Sequence, residues 1–137
     1  MPDGFALELQ KGVRASLVAD SSITNLVSTR VYDEPPEGVT FPYIRFGRIE
    51  PTTFDTDGSV GADVGFTIEG YSQATGRVEA TQIAEAIRAA LHRQEQSISL
   101  TGYTLTEIIT ENYFIDRQTN ERGYIARVIL SAMLTAG

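Results

Sequence analysis

The chain has 137 residues, 42% hydrophobic and 21% charged, a balance that suits one folded domain with its own core and excludes general disorder. Its net charge is −7, from 18 acidic against 11 basic residues, and it contains no cysteine. Disulfides and thiolate metal sites are thereby excluded, and tight binding of nucleic acid through a basic face is disfavoured.

No run approaches the roughly 18–20 unbroken apolar residues needed to span a membrane. Met1-Pro2-Asp3-Gly4 opens without the basic and apolar regions of a signal peptide, so none is expected. Basic residues are spread singly apart from Arg45/Arg48 and the stretch Arg88–Arg93, and Lys11 is the only lysine.

In chain order, the first element reads as an amphipathic helix. Phe5, Leu9, Val13 and Leu17 recur every four residues, and Asp3 is placed to cap the start. Gly12 interrupts the pattern at a cost of about 1 kcal/mol against alanine. Ser22–Val27 can add one short helical turn, with Ile23, Leu26 and Val27 inward. Arg30-Val31-Tyr32 reads as a short strand, stopped by Asp33-Glu34-Pro35-Pro36-Glu37-Gly38, since proline cannot donate to a ladder. Strand character resumes over Pro42–Ile49, where Ile44 and Phe46 share a face.

Glu50 to Ala62 has turn formers without a sustained period, and reads as a long hairpin connection belonging to an interface. Val64, Phe66, Ile68 and Gly70 then alternate with Gly65, Thr67, Glu69 and Tyr71, the pattern of a half-buried strand. A second helix is expected from about Arg77, capped by Thr75, with Ala80, Ile83, Ala84, Ile87 and Leu91 as its apolar stripe. Ser97–Leu100 and Tyr103–Phe114 are rich in β-branched and aromatic residues and read as strands. Tyr124–Leu134 is apolar on both faces, as a central strand requires. The order predicts an α+β domain over residues 1–137: a mostly antiparallel sheet of four to five strands with two helices packed on one face.

The search for chemistry ends without a catalytic set. His92, the single histidine, falls at the end of the second helix, where a structural role complements the helix dipole. Asp55, Asp57 and Asp63 miss the spacing of a calcium loop: counted from Asp55, Gly58 is fourth instead of sixth and Phe66 stands at the twelfth position. Gly58, Gly61 and Gly65 precede a strand instead of opening a helix, so a dinucleotide site lacks its context. Glu107 and Glu111 can serve as an acid and base or line the solvent face of a strand, and the second reading needs no further residues. No cofactor or metal is expected.

What remains is recognition surface. Tyr43, Tyr71, Tyr103, Tyr113 and Tyr124 fall on expected strands, where tyrosine suits both cores and interfaces. Phe54 sits in an acidic, glycine-containing stretch with no obvious local core, and is a candidate anchor into a neighbouring subunit. The candidate interface residues are Pro35, Pro36, Phe54, Asp55 and Asp57.

The run from Arg30-Val31-Tyr32-Asp33 through Pro35-Pro36-Glu37-Gly38 to Phe41-Pro42-Tyr43-Ile44 resembles the small tail-completion, or tail-terminator, proteins of long-tailed phages and phage-like gene transfer agents. The order of elements on either side matches over nearly the whole chain; one departure is Tyr71, where that family often has tryptophan. The resemblance implies a structural protein, not an enzyme, forming a six-membered homo-oligomeric ring in the tail-neck region of a particle made in the bacterial cytoplasm. Its implied partners are the major tail tube protein and a head-tail connector or stopper, with DNA passing through unbound and no membrane contact. A head-side connector or neck ring is the alternative within the structural class. A small enzyme or ligand-binding domain is the alternative outside it.

Overall fold

The computed structural model describes residues 4–56, 59–119 and 122–136. Its elements run α1 (Phe5–Ala19), α2 (Ser21–Val27), β1 (Val31–Tyr32), β2 (Tyr43–Thr56), β3 (Ser59–Ser72), α3 (Val78–Leu91), β4 (Tyr103–Arg117) and β5 (Tyr124–Ala136). The five strands form one sheet in the order β1-β2-β3-β5-β4. Only the β1–β2 pair is parallel; the other three pairs are antiparallel. The α+β architecture and its mostly antiparallel sheet agree with the expectation from sequence.

Each strand sorts its side chains by parity, because successive residues point to opposite faces. Val64, Phe66 and Ile68 of β3 are buried and pair with Ala132, Leu130 and Val128 of β5, also buried. Helix α3 covers this face with Ala80, Ile83, Ala84, Ile87 and Leu91, the stripe read from the sequence. The fit is close enough that a Cβ added to Gly70 of β3 would meet Ile83 Cγ2 at 2.5 Å. Helix α1 adds Leu9, Val13 and Leu17 to the same core. Strand β5, between β3 and β4, has an interior position as expected.

Three local expectations are corrected and one is sharpened. Glu50–Ala62, read as a long hairpin connection, is extended: β2 and β3 stay paired up to Thr56↔Ser59, so it forms the far half of one long hairpin. Period was a poor guide there because Glu50–Thr53 and Asp55 are exposed and Phe54 half-buried, so that run lacks the apolar alternation of a strand facing a core. Ser97–Leu100 is not a strand. It turns back onto α1, where Ile98 is buried and the Thr101 N–H donates to Glu8 Oε1 at 3.3 Å. Gly12 exists for this contact, since a Cβ there would lie 2.6 Å from Leu100 Cδ2 and 2.9 Å from the Ser99 carbonyl.

Thr75 does not cap α3, whose N-cap is Arg77 and makes no side-chain capping bond. Ser72 shapes that turn instead: its Oγ accepts from the Ala74 N–H and donates to Glu79 Oε1. Ser22–Val27, expected as a single turn, is the full helix α2, and Asp20 caps it through the Ser22 and Ile23 N–H groups. The proposed Asp3 cap lies outside the described residues, and Gly4 occupies the N-cap of α1.

Candidate assembly surfaces

The helices pack on the Gly70 side of the sheet, which leaves the opposite face without a helix. Its register places Tyr71 beside Ile125, Glu69 beside Arg127, Thr67 beside Ile129, Gly65 beside Ser131 and Asp63 beside Met133. Ile125, Ile129 and Met133 are half-buried here, and Phe114 of β4 is 40% exposed. Charges are interleaved and mutually tied. Arg127 bridges Glu69 at 3.2 Å and Asp116 at 3.1 Å, while Ser131 Oγ donates to Glu111 at 2.8 Å.

At one margin of this face the segment Phe41-Pro42, leading into Tyr43 at the start of β2, delivers an aromatic group. Tyr43 stacks on Tyr71 with ring centroids 4.9 Å apart and an interplanar angle of 8°, and Phe41 and Tyr32 pack on Tyr43 at 5.0 and 6.0 Å. Offset and tilted ring pairs of this kind are favourable beyond their buried area. Burial, together with the hydrogen bond and charge of Glu69, raises the Tyr71 phenol above its ordinary value, against a lowering by Arg45. Tyr43 and Tyr124 are buried, Tyr71 and Tyr103 half-buried, and Tyr113 exposed, so the tyrosines divide between core and surface.

The candidate interface residues fall at opposite ends of the sheet. Pro35 is half-buried and Pro36 exposed in the β1–β2 loop, whose Gly38 and Val39 border the same depression as Gln73 and Arg122. Phe54 and Asp55 lie at the far end, on the hairpin. Phe54 does have a local partner: it pairs with Gly61, and a Cβ on that glycine would lie 2.5 Å from Phe54 Cζ. The ring thus lies across the glycine of the neighbouring strand, half-buried, with Asp55 exposed beside it. Asp57 lies outside the described residues. The structure therefore separates two candidate surfaces and does not join them into one site.

The groups weighed for chemistry are held in structural contacts. His92 Nδ1 accepts the Thr110 N–H at 2.9 Å, so the ring caps the outer edge of β4. Beside it the Arg93 N–H donates to the Ile108 carbonyl and the Ile108 N–H donates to Glu95 Oε2. These three bonds cover the middle of an edge strand that would otherwise offer itself to any other chain. This role escaped sequence reading because the partners are 13 to 18 residues away. Glu107 is exposed and paired to Arg93 at 3.5 Å, and Glu111 accepts from Ser131; both belong to the solvent face of β4.

Comparison with known proteins places this architecture. A family profile described as tail completion protein gp17 matches residues 11–135. Among solved structures, a chain from the virion of a native gene transfer agent particle superimposes with a TM-score of 0.86 at 24% identity, covering 96% of this chain and 97% of that one. The bacteriophage SPP1 gp17 protein superimposes with a TM-score of 0.56 at 19% identity, over 96% and 91% of the two chains. At these identities both likenesses speak for the fold. No curated protein sequence matches. The profile match spans the chain from α1 to the last strand, and the chain therefore belongs to the tail completion protein gp17 family, structural proteins of the virion.

Proposed function

We infer that the protein is a tail terminator: copies close into a six-membered ring that sits on the finished tail tube, stops its growth and offers the head connector a docking surface. Membership of the tail completion family carries the reading. It is supported by a solved chain of the same fold that is part of the virion of a gene transfer agent particle.

The surfaces fit a heterologous interface, in which each copy presents two different patches and rotation closes the ring. The long hairpin and the β1–β2 loop supply such a pair at opposite ends of one rigid sheet. The mechanism is steric, because covering the last ring of the tube removes the site at which the next tube subunit would add. No bond is made or broken. The net charge of −7 suits a ring through which DNA slides without being held.

The direct test adds the purified protein to tube subunits polymerising in vitro. Tubes that stop growing at substoichiometric protein, with density at one end by negative-stain microscopy, are the expected result. Tubes of unchanged length and bare ends would refute the capping role.

A further inference from the structure

An edge strand offers a row of backbone N–H and C=O groups to any other chain, and this fold closes part of each edge while leaving part open. On the β4 edge, His92, Arg93 and Glu95 take up backbone groups of Ile108 and Thr110. Past the bulge between Thr110 and Asn112, the outward backbone groups of residues 112–117 have no partner among the described residues. That open run carries Tyr113 and Phe114, large side chains left 36% and 40% exposed. Phe114 stands beside Arg127 on the uncovered face, and Tyr113 on the helix face, where its hydroxyl donates to Glu85 Oε2.

The other edge is closed at β1. Arg14 Nε donates to the Val31 carbonyl at 3.1 Å, and the Val31 N–H donates to the Thr29 carbonyl. Strand β1 pairs only with Ile44 and Arg45 of β2, so residues 49–55 form the open run on this side. Pro51 withholds one donor from it, as an edge position tolerates.

The two open runs lie at diagonal corners of the sheet. Residues 112–117 lie at the end where Arg117 pairs with Tyr124 and Tyr124 with Ser72, whereas residues 49–55 lead to the Thr56↔Ser59 turn. Strand direction makes them partners. From β2 through β3 and β5 to β4 every neighbour is antiparallel, so β2 and β4 run in opposite directions. A second copy set alongside in the same orientation continues the alternation, with its β2 antiparallel to β4. Each copy then gives one edge and receives a different one, which is a heterologous contact.

We propose that residues 112–117 of β4 form an antiparallel ladder with residues 49–55 of β2 in a second copy, joining the sheets of neighbouring copies edge to edge. The proposal rests on the ring reading given above and assigns its contact to these strands. The diagonal placing offsets each copy along the strands from the last. A sheet that closes on itself has such a stagger, with its strands tilted to the axis.

Disulfide trapping tests the pairing, because the chain has no cysteine of its own. A disulfide needs a Cα separation of about 4.4–6.8 Å, the reach of adjacent strands. Asn112 and Asp116 on β4 and Glu50 and Thr52 on β2 are exposed and share the uncovered face. Protein with Asn112→Cys or Asp116→Cys is mixed with protein carrying Glu50→Cys or Thr52→Cys, assembled and oxidised, after circular dichroism melting has shown each to be folded. At least one of the four pairings is expected to give covalent dimers at about tenfold or more the yield of a control in which Gln82→Cys, exposed on α3, replaces the β2 substitution. Both substitutions of the successful pairing in one chain should give a ladder of covalent multimers that ends at the ring.

Rings that form from these variants without a cross-link in any of the four pairings would overturn the proposal and leave the ring reading intact. Covalent dimers from Asn112→Cys or Asp116→Cys alone, without the mixed product, would also overturn it and assign the β4 run to a two-fold pair of copies. Absence of wild-type rings both in solution and in particles would refute the ring reading, and the proposal with it.

Discussion

Gly12 looks like a defect in a helix until its surroundings are considered. In a solvent-facing position, replacement by alanine would gain about 1 kcal/mol of helix propensity. Here the segment 98–100 packs directly on the glycine, with Leu100 and the Ser99 carbonyl inside the space of a methyl group. Gly12→Ala is therefore expected to destabilise, by about 1–3 kcal/mol in urea denaturation, because overpacking a close backbone approach outweighs propensity. A gain in stability would show that the contact yields freely.

Tyr71 gives a second prediction at this scale. Its phenol is raised above the ordinary 10.0, mainly by burial. A raised value means that the fold favours the neutral form, so the contribution is fully present below the unfolded value and is lost as pH rises through the folded one. Tyr71→Phe should therefore remove part of the fall in stability above about pH 10, and ultraviolet titration should show one phenol ionising later than an exposed tyrosine. Early ionisation of all six tyrosines would contradict the described packing.

The elements show where sequence patterns carry structural information and where they do not. The core stripe of α3 and the alternation of β3 were legible residue by residue, because each faces one core and so keeps one period. The run from Glu50 to Asp55 was not, because it is exposed apart from half-buried Phe54 and so keeps no apolar alternation. Ser97–Leu100 has strand-like residues yet packs on α1 as a turn, the β-branched Ile98 serving the core from irregular backbone. Of the candidate interface residues, the positions of Pro35 and Pro36 in a loop were legible. The contact of Phe54 with Gly61 depends on cross-strand register, which no local pattern reports.

Two predictions belong to these elements. Removing Thr53–Gly61 shortens the hairpin without touching α1, α3 or the buried run from Val64 to Ile68. The variant should unfold cooperatively yet support little particle formation in a complementation assay; particle yield equal to the wild type would remove the hairpin from assembly. His92→Ala strips the partner from the Thr110 N–H on the edge of β4. It should cost about 1–3 kcal/mol in denaturation and raise the rate of aggregation, as an opened strand edge does. Unchanged stability and solubility would mean that water replaces the imidazole without loss.

At the scale of the whole molecule, one sheet carries helices on one side and an uncovered, mixed apolar and charged face on the other. That division of labour suits a subunit of an assembly, in keeping with the structural family to which the chain belongs. The motif from Arg30 to Ile44 had already pointed to tail completion. The gathering of Arg77 and Arg117 on the Tyr124 ring was invisible in the sequence, because it comes only through the packing of α3 beside β4 and β5.

The measurement that tests the terminator role most directly is electron microscopy of particles from a strain lacking this gene. Overlong tails without heads, beside separate filled heads, are the predicted outcome. Tails of normal length with unfilled or leaking heads would contradict it and move the protein to the head side of the neck, and unaltered particles would contradict any essential role in tail completion.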